Sequence, residues 1–280
     1  MVKPIFKILL PILLCCAVYG CDVDLGGLFK SNDLDERLKE RNNFIFPNTV
    51  SRTTVTLGEE YSFIVITDIH TEDGDAHGLE KLKNVIEENN ETEGNLKIKF
   101  AVFCGDNTQN GAEQDIKKII EIAQSLPIPV YLVIGNHDTF FGNWAVWKKL
   151  IGSTSYRVRG DSADLFILDS ANGFLGKEQL DWLEKELRSA NGKVFVFSHH
   201  NIFLASMINQ QMADTRETAR LISLVRGKRG VMFTGHSHER VIKEAGGSLF
   251  INIEIFRKYK TYCLFSVKRT GVSYDFKELK

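Results

Sequence analysis

Short apolar runs recur along the chain from residue 63 onward, each separated from the next by a polar or amphipathic stretch. The runs lie at 63–66, 100–103, 130–134, 165–168, 194–197 and 231–233. They are rich in Val, Ile and Phe and too short for helices, so they predict strands. Because apolar residues do not alternate with polar ones, both faces of these strands are expected to be buried, as in a largely parallel sheet.

The stretches between these strands carry a helical pattern. Apolar residues repeat at spacings of three and four within 79–86, 116–126 and 180–187. This pattern predicts helices that each pack one apolar face on a sheet. From residue 240 onward, short runs at 249–253 and 262–267 are bounded by turns that contain glycine, which predicts an antiparallel meander.

The first 20 residues have the pattern of an export signal. Two lysines precede an apolar run at 8–18, which is shorter than the roughly 20 residues needed to span a membrane. Val18-Tyr19-Gly20-Cys21 then resembles the bacterial lipobox, so we expect a lipoprotein signal peptide at 1–20 and a lipid on Cys21. The alternative is a plain secretory signal cleaved after Gly20. The expected location is the bacterial cell envelope, with the lipid holding the chain at a membrane.

The rest of the chain divides into a polar, mixed segment at 21–59, predicted to be a tether, and a single domain at 60–280. With 35 basic and 36 acidic residues, the net charge is −1. This balance gives no general field that would attract nucleic acid, and no feature of the sequence indicates a protein partner. Cys104 and Cys263 lie in apolar runs, so no disulfide framework is expected.

Polar residues that commonly bind metals follow five of the predicted strands. The clusters are Asp68-Ile69-His70, Gly105-Asp106, Gly135-Asn136-His137-Asp138, Ser198-His199-His200 and Gly235-His236-Ser237-His238. Six of the seven histidines lie in these clusters, and the exception is His77. Since the strand ends of open α/β sheets meet at one edge, the clusters are expected to form one site. Carboxylate, imidazole and amide donors together favour Mn, Fe or Zn over Mg or Ca.

These five motifs, in this order, resemble the signature of the calcineurin-like metallophosphoesterase family. The resemblance runs from about residue 63 to the C-terminus and includes family-like stretches between the motifs, such as Leu168-Asp169-Ser170. It implies an α/β fold of the family's type, a four-layer α/β/β/α sandwich of two mixed sheets flanked by helices. It also implies a phosphoric ester hydrolase that uses two divalent or mixed-valence transition metal ions.

The resemblance further implies a division of the metal ligands. Asp68, His70 and His238 match the ligands of one ion, Asn136, His199 and His236 match those of the other, and Asp106 matches the carboxylate that bridges both. Two ions about 3.5–4 Å apart can share a hydroxide that forms near neutral pH. The implied reaction is in-line attack of this bridging hydroxide on phosphorus, with the ions stabilising charge on the phosphoryl oxygens.

His137 matches the family histidine near the leaving oxygen, and two roles are open for it. It could be a general acid, or it could only position the phosphate. Many members carry an acid three residues after the bridging aspartate to orient this histidine, whereas this chain has Gln109 there. We therefore expect His137 to be tuned less strongly as an acid. His200, next to an inferred ligand, could contact substrate or be structural.

An aromatic stretch follows the Gly-Asn-His-Asp motif. Its members are Phe140, Phe141, Trp144 and Trp147. They could form a wall on which a base stacks, or they could pack inward from a helix.

The substrate class follows from the resemblance only in outline. Gln109-Asn110-Gly111 lacks the phosphate-pairing arginine of serine/threonine phosphatase members, so a protein phosphatase is not expected. The layout resembles the branch that cleaves small phosphodiesters such as cyclic nucleotides. The alternatives are a phosphomonoesterase acting on nucleotides or sugar phosphates, and a non-catalytic scaffold of the same fold. Scaffold members typically have eroded ligands, whereas all seven positions here hold a competent residue.

Overall fold

Two β-sheets stack face to face, and helices cover the outer face of each. This computed structural model describes residues 34–45, 54–203 and 211–280. The strands are β1 (Thr54–Val55), β2 (Tyr61–Ile66), β3 (Ile98–Cys104), β4 (Val130–Val133), β5 (Tyr156–Gly160), β6 (Ala163–Ile167), β7 (Lys193–Phe197), β8 (Val231–Thr234), β9 (Val241–Ala245), β10 (Ser248–Asn252), β11 (Thr261–Lys268) and β12 (Gly271–Glu278). The helices are α1 (Leu34–Lys39), α2 (Leu82–Glu91), α3 (Glu113–Ser125), α4 (Trp144–Leu150), α5 (Lys177–Arg188), α6 (Thr215–Gly227) and α7 (Phe256–Tyr259), with 3-10 helices at Leu79–Lys81 and His137–Gly142.

Both sheets are mixed. The first has five strands in the order β12-β11-β2-β3-β4, with β2, β3 and β4 parallel and an antiparallel hairpin at one edge. The second has seven strands in the order β1-β5-β6-β7-β8-β10-β9, in which β6, β7, β8 and β10 are parallel. Each strand predicted from an apolar run is present, and each predicted helix is present as α2, α3 or α5.

Apolar side chains fill the space between the sheets and the space under each helical layer. Between the sheets, Phe63 stacks on Phe100 with ring centroids 4.5 Å apart and meets Phe195 of the opposite sheet edge-on at 5.0 Å. Helices α2 and α3 cover the outer face of the first sheet, and α5 and α6 cover that of the second. The predicted four-layer sandwich is therefore confirmed.

The antiparallel meander predicted after residue 240 is wrong. The tail forms two hairpins, β9-β10 and β11-β12, which lie in different sheets. β10 pairs in parallel with β8, and the short helix α7 carries the chain across to the first sheet, where β11 pairs with β2. A single meander and two hairpins in different sheets have the same local pattern of strands and turns. Only the long-range pairing of the strands distinguishes them.

The described parts of the predicted tether pack on the domain. Leu34 and Leu38 of α1 are buried, and the Arg37 guanidinium makes a buried bidentate ion pair with Asp169 at 2.7 and 3.0 Å. Further along, β1 pairs with β5 at the edge of the seven-stranded sheet. These stretches of the segment 21–59 therefore belong to the folded unit.

The predicted signal peptide at 1–20 and Cys21 lie outside the described residues. None of the helices in the described ranges combines the length and the apolar composition that a membrane span requires.

Candidate metal centre

Five loops that follow parallel strands meet where the two sheets face each other. The loops after β2, β3 and β4 belong to the first sheet, and those after β7 and β8 belong to the second. Main-chain hydrogen bonds join them in pairs: Asp68 N donates to Gly105 O at 3.0 Å, and Gly235 N donates to His199 O at 2.8 Å. The contacts described below connect all seven predicted ligands and His137 in one cluster.

The backbone at this cluster is strained. Five of the seven predicted ligands, all except Asn136 and His199, have positive φ values between 48° and 66°. Left-handed backbone is unfavourable for residues with a Cβ, and such strain persists where the surrounding fold imposes it, often at functional sites. The strand-end loops are therefore built to aim side chains inward.

The Asp68 carboxylate has one oxygen held by the protein and one directed at imidazoles. Oδ2 accepts hydrogen bonds from Thr67 Oγ1 at 2.7 Å and from His236 N at 3.0 Å. Oδ1 lies 3.3 Å from His238 Nε2 and 3.8 Å from His70 Nε2. One donor atom from each of Asp68, His70 and His238 lies within 4.8 Å of the others, which could hold one cation. These three residues are the ones predicted for the first ion.

The Asp106 carboxylate lies at the centre of the cluster. Its Oδ1 accepts from His137 N at 2.9 Å, which fixes the orientation of the group. Its Oδ2 lies 3.2 Å from His199 Nε2, 3.9 Å from His70 Nε2 and 4.0 Å from His137 Nε2. The same oxygen is thus close to one predicted ligand of each ion.

Asn136 and His236, the other two predicted ligands of the second ion, lie next to His199. Its Nδ1 lies 3.1 Å from the carbonyl oxygen of Cys104, which can only accept, so Nδ1 carries a proton and the ring turns Nε2 towards the centre of the cluster. His199 Nε2 lies 3.2 Å from Asn136 Oδ1. Donor atoms of His199, His200 and His236 lie within 4.8 Å of one another. The structure thus adds His200, whose role the sequence leaves open, to this group.

The residues present fit a pair of transition metal ions. Among the described residues, Asp68 Oδ1, both ring nitrogens of His70 and Nδ1 of His200 are buried with no hydrogen-bond partner. Buried polar atoms without partners are costly and are normally satisfied, so these call for a ligand. Imidazole, carboxylate and amide donors in one cluster suit Mn, Fe or Zn.

The electrostatic field of the cluster favours cations. Burial alone would lower the pKa of His199, but the carboxylates of Asp106 and Asp68 outweigh burial and raise this pKa to about 9. Burial would raise the pKa of Asp106, yet the neighbouring His199 and His137 bring it well below its usual value. His200 differs, because burial and the nearby His236 and His199 lower its pKa and keep it neutral.

The contact that orients His137 comes from the main chain. His137 Nδ1 lies 2.7 Å from the backbone carbonyl oxygen of Gln109, so Nδ1 donates and Nε2 faces Asp106. The side chain of Gln109 has another partner, since its Oε1 accepts from Arg257 Nη1 at 2.8 Å. Many family members orient this histidine with an acid side chain, which this chain lacks at position 109. The main-chain carbonyl oxygen of Gln109 orients the His137 ring instead.

Asp138 braces two of the loops, a role that the sequence analysis did not assign. Its carboxylate accepts five hydrogen bonds, from Gly135 N, from Asn107 N and Nδ2, and from Thr108 N and Oγ1, at 2.9 to 3.3 Å. Burial and the charge of Asp106 raise its pKa, and these donors partly counter them. The sequence signal that could have indicated this role is the position of Asp138 directly after His137 in the motif.

Glycines in two motifs permit the close approach of these loops. A Cβ on Gly105, whose φ is +92°, would lie 2.3 Å from His199 Nδ1. A Cβ on Gly235 would lie 2.0 Å from Thr67 Oγ1 and 2.6 Å from Asp68 Oδ2. Side chains at these positions would displace the predicted ligands.

His77, which the sequence analysis set apart from the clusters, also supports the site. Its Nε2 lies 3.1 Å from the backbone carbonyl oxygen of His70, which can only accept a hydrogen bond, so Nε2 donates. No motif carries this contact, because the loop at 71–78 brings His77 back to His70 only in the folded chain.

The aromatic residues after His137 do not form one wall. Trp147 is fully buried in the core beneath α4, as the inward-packing alternative expects. Phe140 instead packs on the His137 ring, with centroids 4.2 Å apart.

The chain matches a known protein family and resembles several known proteins. A family model described as calcineurin-like phosphoesterase matches residues 61–240. The chain is similar to a probable cyclic nucleotide phosphodiesterase of Fibrobacter succinogenes, at 27% identity over 190 residues, which cover 63% of this chain and 72% of that protein. It is also similar to a probable glycerophosphodiester phosphodiesterase of Arcobacter nitrofigilis, at 31% identity over 119 residues, which cover 38% of this chain and 44% of that protein.

A solved structure shares the fold. A dimetal phosphatase from Danio rerio superposes with a TM-score of 0.56 at 13% identity, over 79% of this chain and 99% of that one. At this identity the likeness shows the fold alone.

Proposed function

Since the chain belongs to the calcineurin-like phosphoesterase family, we propose that it hydrolyses small phosphodiesters with two metal ions that share Asp106. It is a metallophosphoesterase by membership, and the proposal concerns its metal number, its ligands and its substrate. Asp68, His70 and His238 would hold one ion, and Asn136, His199 and His236 the other.

The position of Asp106 Oδ2 carries this proposal. This oxygen lies 3.2 Å from His199 Nε2 and 3.9 Å from His70 Nε2, so it is close to both proposed ligand sets. Bound ions would polarise the phosphoryl oxygens and make water acidic enough to react near neutral pH. Asp106 is in turn held by His137 N, and Asp68 by Thr67 and His236, so both carboxylates are oriented before any ligand binds.

His137 is the residue we propose as general acid. Its Nδ1 donates to the Gln109 carbonyl, which directs Nε2 towards the centre of the cluster, 4.0 Å from Asp106 Oδ2. A proton on Nε2 would be delivered to the leaving alkoxide oxygen, and general acids of this kind typically contribute about 10²–10⁴-fold.

A cyclic nucleotide is the substrate that we propose within the phosphodiester class. The support is the name of the relative in Fibrobacter succinogenes, a probable cyclic nucleotide phosphodiesterase that shares 27% identity over 190 residues. The relative in Arcobacter nitrofigilis bears the name of another phosphodiesterase class, so the common element is a diester.

The test combines metal analysis with a substrate screen. The purified chain would be reconstituted separately with Mn, Fe and Zn, and assayed on cyclic nucleotides, glycerophosphodiesters and phosphomonoesters. We expect two ions per fully active chain and faster hydrolysis of diesters than of monoesters. Asp106→Asn should lose more than the roughly 10–100-fold in activity that is typical of removing an outer-shell partner, because a neutral amide bridges cations poorly.

The matched control is Asp164→Asn. Asp164 is also buried, but it pairs with Arg157 at the start of β6, away from the strand ends that carry the cluster. Full activity with one ion per chain, or equal losses in the two variants, would overturn the two-metal proposal. A clear preference for monoesters would overturn the substrate class.

A further inference from the structure

A cavity of about 810 Å³ adjoins the candidate metal centre at His238. His238 lines it, and the same side chain approaches Asp68 Oδ1 with its Nε2 at 3.3 Å. The rest of the lining comes from the loop before β9, the loop between β10 and α7, α7 itself, and the ends of β11 and β12, which no motif covers. Ligand cavities typically measure about 300–1,000 Å³, so this one could hold a group the size of a nucleoside.

The charges in this cavity disfavour a second anion. Its walls carry three carboxylates, those of Glu239, Glu254 and Glu278, and two basic groups, those of Arg240 and Lys258. Arg240 and Glu254 form an ion pair through two of the three guanidinium nitrogens, Nε and Nη2, and the Arg240 guanidinium lies 3.9 Å from the centre of the Phe276 ring. A phosphate or carboxylate placed there would meet more negative than positive charge.

The same net negative charge would attract a cation to the cavity as a whole, but Lys258 disfavours a cation at the Tyr259 ring. Its ammonium lies 4.8 Å from the centre of the Tyr259 ring, and both residues line the cavity. A quaternary ammonium that approached this ring would be repelled by Lys258. The Tyr259 side chain is 45% exposed, so part of its apolar surface is open to a neutral planar group.

From this geometry we propose that the cavity beside His238 binds the neutral nucleoside part of a phosphodiester, with Tyr259 contacting its base. The inference rests on the proposed phosphodiesterase function and deepens it. Glutamate and lysine side chains in the walls would hydrogen-bond the sugar hydroxyls and the polar edges of the base. The phosphorus would then lie towards His238 and the metal ligands.

The test uses esters that share one leaving group, p-nitrophenol. Methyl p-nitrophenyl phosphate, thymidine 5′-(p-nitrophenyl phosphate) and p-nitrophenylphosphorylcholine place a methyl, a neutral nucleoside or a cation in the second ester position. We expect the thymidine ester to have the highest kcat/KM. Tyr259→Ala should lower the ratio of thymidine to methyl ester kcat/KM about tenfold, the scale of one stacked base. Tyr274→Ala removes an exposed tyrosine of β12 outside this cavity and should leave the ratio unchanged.

A binding measurement with thymidine alone distinguishes the proposed nucleoside site from the proposed phosphodiesterase function. It would use calorimetry on metal-loaded wild type and Tyr259→Ala. Thymidine binding that Tyr259→Ala weakens supports the cavity even if no ester is cleaved, and loss of all ester cleavage would then overturn only the phosphodiesterase function. Cleavage of the methyl ester with no preference for the thymidine ester, or a preference for the choline ester, would overturn the nucleoside site alone.

Discussion

At the scale of single residues, orientation by main-chain atoms is the recurrent device of the site. Asp68, Asp106 and His137 each have one polar atom tied to a backbone or hydroxyl group, and the other directed at the centre of the cluster. Hydrogen bonds of this kind fix tautomers and rotamers before a ligand arrives, so less ordering is needed on binding. The sequence predicted these three residues, but not the atoms that hold them.

Asp138→Asn tests this device at one residue. The Asp138 oxygens face five donors, and an amide could accept on one side only, leaving its NH₂ group opposed to N–H groups. We expect metal affinity to fall about 10–100-fold, because the loops that carry Asp106, Asn136 and His137 lose their brace. Metal titrations would measure the change.

Asp214→Asn is the matched control for this variant. Asp214 caps α6 by accepting from Arg216 N and Glu217 N, and asparagine caps helices equally well. Metal affinity should therefore be unchanged in the control. An unchanged affinity in Asp138→Asn would show that the loops hold their positions without the carboxylate.

At the scale of elements, the local sequence of α1 only weakly predicts a stable helix. Its six residues are mixed in polarity, and a helix this short is unstable alone. It persists because Leu34 and Leu38 are buried and Arg37 reaches Asp169 and Asn172 in the loop after β6. The next residue, Ser170, accepts from His200 N at 2.9 Å, so α1 is joined to the candidate site through two residues.

Arg37→Ala should lower the free energy of unfolding by about 3–5 kcal/mol, the usual cost of leaving one charge of a buried pair without its partner. Chemical denaturation would measure it. Lys39→Ala on the same helix is the control, because its pair with Glu36 has both side chains about two-thirds exposed, at 65% and 66%. Such surface pairs contribute less than about 1 kcal/mol. Similar losses in both variants would mean that Arg37 is not the residue that fastens α1.

At the scale of the whole molecule, we propose that the domain is located in the cell envelope and that a lipid on Cys21 holds it there, because two lysines, an apolar run and Gly20 lead to that cysteine. Stable retention needs more than one acyl chain, since a single chain binds membranes only marginally. We expect mass spectrometry of the membrane fraction to find a mature N-terminus at Cys21 that carries several acyl chains.

Cys21→Ser should release the chain from the membrane fraction, and Cys263→Ser, at a buried thiol in β11, should leave it there. An unmodified N-terminus at Cys21 in the membrane fraction would contradict the proposed lipid anchor.

The sequence by itself determined the fold class and the residue types of the site. Apolar strand runs and helical spacings are local patterns, and each strand end carries its own motif, so both could be predicted without knowing which strands pair. Only the tertiary structure decided how the tail divides between the two sheets, that His200 joins His199 and His236, and that the Gln109 main chain rather than its side chain orients His137. These features depend on atoms far apart in sequence and on left-handed backbone that the packed loops impose. The local pattern of apolar and polar residues indicates neither these long-range contacts nor the left-handed backbone.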